Sequence, residues 1–244
     1  MRIHQVHHLY QDRLARATKP FSARGAKVKR CELCMVAKEH CICDHQPDIE
    51  TDIAAMVIMS DNEILKPSNT GRLIADVVKE CHAFEWSRTE PSAELLALIN
   101  SPDYQPVIIF PEQYVDDRAR LVHSFKQDTE RFSSQPKLLL IFLDGSWKEA
   151  RKMFRKSDYL QKLPVFSVEP EALSEYVLRR SENSSHLATA EVASIVLEQA
   201  NQPKAAKLLA SWFGVFSESY MLSKTRYKPN FEKPQLQQYI REME

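Results

Sequence analysis

An α/β fold with a mostly parallel sheet and flanking helices is predicted by three observations. Short, almost wholly apolar runs recur along the chain, as expected of strands covered on both faces. Amphipathic stretches of helical period separate them, the alternation that builds a parallel sheet through crossover helices. At 244 residues and 43% apolar content, the chain has the material for a proper core within one or two domains.

The predicted strands are 53–59, 107–110, 138–143 and 165–168, each short and mostly apolar. Between them, helices are expected at 71–81, 93–100, 116–127 and 147–156. Beyond the last strand, 171–179, 187–200 and 203–222 read as helices, followed by a Lys/Pro/Gln-rich tail that holds Pro229 and Pro234. Ahead of the first strand, Arg13 to Arg30 carries seven basic residues and no acid, with Pro20 and Gly25 breaking any long helix, and reads as a basic arm. Three units follow: a basic arm and metal segment (1–47), a main α/β domain (48–225) and a C-terminal tail (226–244).

Composition excludes several classes. Lys+Arg and Asp+Glu both total 33, so the chain is neither globally basic nor an acidic solvating protein, and any nucleic-acid surface must be local. The longest apolar run has seven residues, well short of the roughly 18 that span a bilayer, so no membrane partner is expected. The first nineteen residues have charges and histidines but no apolar stretch, which argues against a secretory signal and for a cytoplasmic protein. Only four glycines occur, Gly25, Gly71, Gly145 and Gly214, too dispersed for a G-x-G-x-x-G or Walker loop. No G-x-S-x-G elbow is present, so a serine hydrolase is a weak idea.

Cys31-x2-Cys34-x6-Cys41-x-Cys43 gathers four of the five cysteines within thirteen residues. Four thiolates suit tetrahedral zinc, whose binding energy can fold a segment too small for its own core. Such closed coordination leaves no site for substrate, so the zinc is expected to be structural. An iron–sulfur cluster, a redox C-x-x-C pair and four reduced cysteines are the alternatives. His40 and His45 flank the set and read as bystanders.

The strand at 138–143 runs into Asp144-Gly145-Ser146-Trp147 and then a helix. Ligands of parallel sheets gather beyond the carboxyl ends of strands, where this turn falls. Ser146 with Glu149 also spells a capping box, which would account for the turn without any ligand. In the helix, Lys148, Arg151, Lys152 and Arg155 stand at i, i+3, i+4 and i+7, while Trp147, Ala150 and Phe154 take another face. The basic stripe is either a solvated surface or a rail for RNA phosphates. Asn69-Thr70-Gly71-Arg72 opens a predicted helix whose N–H groups either are capped locally or receive a carboxylate. Phe110-Pro111-Glu112 ends a strand and could line a pocket, and Thr189 and Glu191 lie near a helix start.

In order, the cysteine set, Lys66-Pro67-Ser68-Asn69-Thr70-Gly71-Arg72-Leu73, Asp144-Gly145-Ser146-Trp147, Leu178-Arg179 and Leu187-Ala188-Thr189-Ala190-Glu191 resemble the DTW-domain family of tRNA-uridine aminocarboxypropyltransferases, from about Cys31 to Ala200. Two positions depart from that pattern: Ser146 stands where the family usually has Thr, and Ala188 where Ser is common. The resemblance implies a SPOUT-like fold with a knotted cofactor region, S-adenosylmethionine as donor of its aminocarboxypropyl group, and a variable-loop uridine of tRNA as acceptor at N3. Under it, Asp144, Ser146 and Trp147 are the expected catalytic residues. Asn69, Thr70, Gly71, Arg72, Phe110, Pro111, Leu143, Gly145 and Thr189 are the expected donor-binding set, and Cys31, Cys34, Cys41 and Cys43 the zinc ligands. Lys27, Lys29, Arg30, Lys148, Arg151, Lys152, Arg155 and Arg179 are expected to meet tRNA. A SPOUT-type RNA methyltransferase and a noncatalytic zinc-dependent RNA-binding protein are the rival readings. Oligomeric state stays open, a monomer among the options.

Overall fold

The computed structural model describes residues 1–18, 28–125, 136–168, 187–223 and 230–243. Its strands are β1 (Ala54–Met59), β2 (Cys81–Glu85), β3 (Tyr104–Ile109), β4 (Leu121–Val122), β5 (Lys137–Asp144) and β6 (Val165–Phe166). They pair in parallel throughout, in the order β2-β1-β5-β3-β6-β4. The helices are α1 (Gln5–Ala15), α2 (Asp61–Ile64), α3 (Arg72–Val77), α4 (Ala93–Asn100), α5 (Trp147–Lys156), α6 (Thr189–Gln199), α7 (Pro203–Met221) and α8 (Pro234–Met243).

Alternation along the central strand β5 sets the layers. Leu138, Leu140 and Phe142 face a core shared with α3, α6 and α7, whereas Leu139, Ile141 and Leu143 face one shared with α4 and α5. Leu140 is fully buried, so its truncation to Ala would cost about 2–5 kcal/mol. β3 begins earlier than its apolar run because Pro106 fits there. Ile108 donates its N–H to Pro164 on the β6 side, so Pro106, two residues earlier, points the same way before β6 begins and forfeits no ladder bond.

Two expected helices are corrected. The one at 71–81 stops at Val77, where Val78 turns extended, and Cys81 opens β2 instead. The register from Ala55↔Cys81 to Met59↔Glu85 captures that segment for the sheet, overriding local helical spacing. At 116–127, Asp117 caps only a single 3-10 turn, Arg118–Arg120, before Leu121 and Val122 pair with Val165 and Phe166. The strand expected at 165–168 is shorter, ending at Phe166. The helix expected at 171–179 lies outside the described residues, as does the rest of 169–186.

Both ends of the chain join the main core. α1 places Val6 in the same apolar layer as Val36, Ile42 and α7. α8 buries Tyr239, whose hydroxyl donates to the His45 carbonyl at 3.0 Å. The buried Asp76 gathers these parts: its carboxylate meets His4 Nε2 at 3.1 Å and accepts from Gln46 Nε2 at 2.7 Å and Trp212 Nε1 at 2.9 Å. Despite burial, these partners hold Asp76 below the usual carboxylate range.

Candidate active site and four-cysteine centre

Asp144 is the last residue of β5 and only 2% exposed. Its Oδ2 accepts from Asn69 Nδ2, and its Oδ1 from the Thr189 hydroxyl at the first turn of α6. Asn69 has no freedom to flip. Its Oδ1 accepts the Arg72 N–H at 3.1 Å, and its Nδ2 serves both Asp144 and Glu63 Oε1, the latter at 3.3 Å. Gly71 makes this approach feasible, since a Cβ there would stand 2.7 Å from Asp144 Oδ2. Burial pushes the Asp144 carboxyl up to about 6; the Thr189 and Asn69 hydrogen bonds and Lys66 oppose the shift, while Glu63 adds to it. Glu63 and Lys66 form an i,i+3 ion pair that sequence spacing alone does not mark as part of the site. The only signal for them was Lys66 at the start of the Lys66 to Leu73 motif.

Beside Asp144, beyond the carboxyl ends of β3 and β5, lies a mostly apolar cavity of about 310 Å³. Phe110, Pro111, Leu143, Gly145, Trp147 and Thr189 from the expected set line it. Thr189 belongs to both features, presenting its side chain to the cavity while its hydroxyl is bonded to Asp144. The remaining expected donor residues sit elsewhere. Asn69 and Gly71 pack on Asp144, and half-buried Thr70 starts the α3 turn through its carbonyl. Arg72 is 4% exposed, outside the cavity lining, in the field of Asp76, Tyr10, Cys34 and Cys31. Ser146 is committed to the capping box: its hydroxyl donates to Glu149 Oε2 and accepts the Glu149 N–H, while its own N–H reaches Glu149 Oε2 at 2.8 Å.

The expected basic stripe lies on the outer face of α5. Trp147, Lys148, Arg151, Lys152, Arg155 and Lys156 line a second cavity of about 300 Å³. The Arg151 guanidinium sits over the Tyr114 ring at 4.8 Å and Lys152 Nζ over Trp86 at 5.1 Å. Farther away, Lys29 is exposed, and Arg30 donates to the Met35 carbonyl while lying over Tyr220 at 4.9 Å. Lys27 and Arg179 fall outside the described residues.

The four cysteines converge. Met35 takes a left-handed φ of 62°, closing the turn in which its N–H reaches the Cys31 carbonyl, and 3-10 turns at Lys38–His40 and Cys43–His45 aim the second pair. All four sulfur atoms lie within 4.8 Å of one another, with Cys31–Cys43 at 3.5 Å and Cys34–Cys41 at 3.8 Å. Zinc at about 2.3 Å from each of four sulfurs separates them by roughly 3.8 Å, so the set could hold such an ion. A hydrogen bond with Cys43 draws the Cys34 thiol down to about 5 and raises that of Cys43, so one thiolate is already favoured. Among the described residues, no histidine joins the cluster.

Among the described residues, no helix is long and apolar enough to cross a membrane. No solved structure matches the chain. The family model described as the DTW domain matches residues 28–221, taking in the cysteine centre, Asp144 and both groups that hold it. The chain therefore belongs to the DTW domain family.

Proposed function

We propose that the protein transfers the 3-amino-3-carboxypropyl group of S-adenosylmethionine to N3 of a variable-loop uridine in tRNA, releasing methylthioadenosine. Membership of the DTW family is consistent with a tRNA-modifying role. The observation that carries the reading is the buried Asp144 carboxylate, raised to about 6 and joined through Thr189 to the wall of a 310 Å³ cavity. A buried carboxyl with so raised a value in such a place is a candidate general base.

The cavity is at the small end of the range for ligand pockets, and its apolar walls suit an adenosine and thioether better than a polyphosphate. Phe110, Pro111, Leu143 and Gly145 would hold the donor there. When bound, S-adenosylmethionine supplies a methylene carbon activated by the sulfonium, whose bond to sulfur breaks as the bond to N3 forms. Asp144 is ionised above about pH 6 and draws a proton toward Oδ1. Thr189 Oγ1 already directs its hydrogen at that oxygen, so as Oγ1 takes the proton from N3 it hands its own to Asp144, without either side chain moving. Asn69 keeps the other carboxylate oxygen fixed during the transfer. Zinc held by Cys31, Cys34, Cys41 and Cys43 would fold the N-terminal segment against the core.

The test is incubation of the purified protein with S-adenosylmethionine and unmodified tRNA, followed by nucleoside mass spectrometry. A uridine gaining one aminocarboxypropyl group, lost with Asp144→Ala, is the expected result. A gain of one methyl group, or no change, overturns it.

A further inference from the structure

We propose that Arg72 is the buried counter-charge of the four-cysteine centre, its guanidinium offsetting the negative charge that the thiolates gain when a divalent metal binds. This concerns the metal centre alone and does not depend on the transfer reaction.

Arg72 is 4% exposed, and its Nε and Nη1 have no hydrogen-bond partner. A guanidinium does not shed its proton in a protein, so the charge has to be met where it lies. Leaving it unpaired in the interior is among the costliest defects a fold can carry. Asp76 stands one turn along the same face of α3, but its carboxylate is taken by His4, Gln46 and Trp212, and neither Nε nor Nη1 of Arg72 reaches it.

The way α1 packs on α3 shows where the missing partner lies. His4 meets Asp76, and His7, one turn on, stacks on His4 at 3.8 Å and lies in the field of Arg72. The His7 Nδ1 accepts the His4 N–H at 3.2 Å, and its Nε2 donates to the Leu33 carbonyl at 3.2 Å, so the ring bridges α1 to the turn that carries Cys34. Burial pulls Arg72 below its ordinary value, and Asp76, Cys34, Tyr10 and Cys31 oppose the pull. A divalent ion held by four cysteines binds all of them as thiolates, which together outweigh it by two negative charges. That excess is the counterpart the guanidinium lacks. A dissolved anion or the carboxylate of the donor fits less well, because both nitrogens are shut off from solvent and Arg72 is absent from the cavity lining.

Cobalt(II) titration of the full chain, in competition with a chromophoric chelator, tests this through both affinity and the thiolate-to-cobalt charge-transfer band. Arg72→Met should weaken cobalt binding about tenfold or more. It should also move the band to longer wavelength, because sulfur gives up an electron more readily once the nearby positive charge is gone. Arg72→Lys keeps the charge and should change less on both readings. Leu140→Ala lowers stability through packing and should leave the band in place, which separates a charge effect from a general loss of stability. If Arg72→Met does not fold, Arg72→Gln, also uncharged, takes its place. A band that stays in place in the uncharged variant overturns the proposal whether or not affinity falls, as do equal changes in Arg72→Lys, or a wild type that takes up no cobalt. Loss of donor binding by calorimetry with both metal readings unchanged would overturn it as well, returning Arg72 to the donor.

Discussion

Replacing Asp144 by Asn should stabilise the protein at neutral pH while abolishing transfer. In the folded chain the carboxyl is raised from 3.8 to about 6. Below pH 3.8 both folded and unfolded forms hold the proton, and ionisation costs nothing. Between 3.8 and about 6 the unfolded chain releases it first, so stability falls as pH rises; above 6 the full deficit, about 3 kcal/mol, is present. Asn keeps the shape and removes the charge. Its carbonyl can accept from Asn69 Nδ2 while its amide donates to Thr189 Oγ1, so both contacts survive with one hydroxyl rotated. The variant should therefore melt roughly 6–12 °C above wild type at pH 8, with the gap closing toward pH 4. Paired thermal scans across that range are the assay. A gap that stays constant with pH would refute the reasoning, because the cost would then not arise from ionising this carboxyl.

Gly71→Ala should destabilise by about 1–3 kcal/mol and reduce transfer, since the new methyl displaces the Asp144 carboxylate; melting and turnover read the two effects. Stripping zinc with a chelator, or Cys34→Ser, should remove bound metal by elemental analysis and lower the melting temperature by roughly 10 °C or more. Changing Lys148, Arg151, Lys152 and Arg155 together to Glu should weaken tRNA binding and flatten its log–log salt dependence by about 3, with donor binding by calorimetry unchanged. Asp76→Ala removes the shared acceptor of His4, Gln46 and Trp212 and should cost about 3–5 kcal/mol in denaturant unfolding.

The central strands were legible because β1 and β5 are buried on both faces and read as plain apolar runs. β2 was not: at the sheet edge its Cys-His-Ala-Phe-Glu pattern is half polar, and only pairing with β1 makes it a strand. α1 has no clear signal because its opening Gln-Val-His-His-Leu-Tyr is weakly amphipathic, and it takes its place through contacts with β2 and Asp76. At the site, the motifs around Asn69, Asp144 and Thr189 were each visible. Their meeting was not, since Asn69 is 75 residues and Thr189 45 residues from the aspartate they share. Arg72 illustrates the converse. Its motif suggested a ligand contact, yet the first turn of α3 carries its side chain toward Asp76 and the cysteines.

The strand order also bears on how the chain is assembled during synthesis. β5 is inserted between β1 and β3, so a nascent chain that has not yet emerged to residue 137 holds the β2-β1 pair and a separate β3 with raw inner edges and nothing to join them. Those edges are sticky, and long-range parallel pairing is slow to form. The strand that closes that gap is the one that ends in Asp144, so the Asp144 carboxylate is brought into position by the same event that joins β1 to β3.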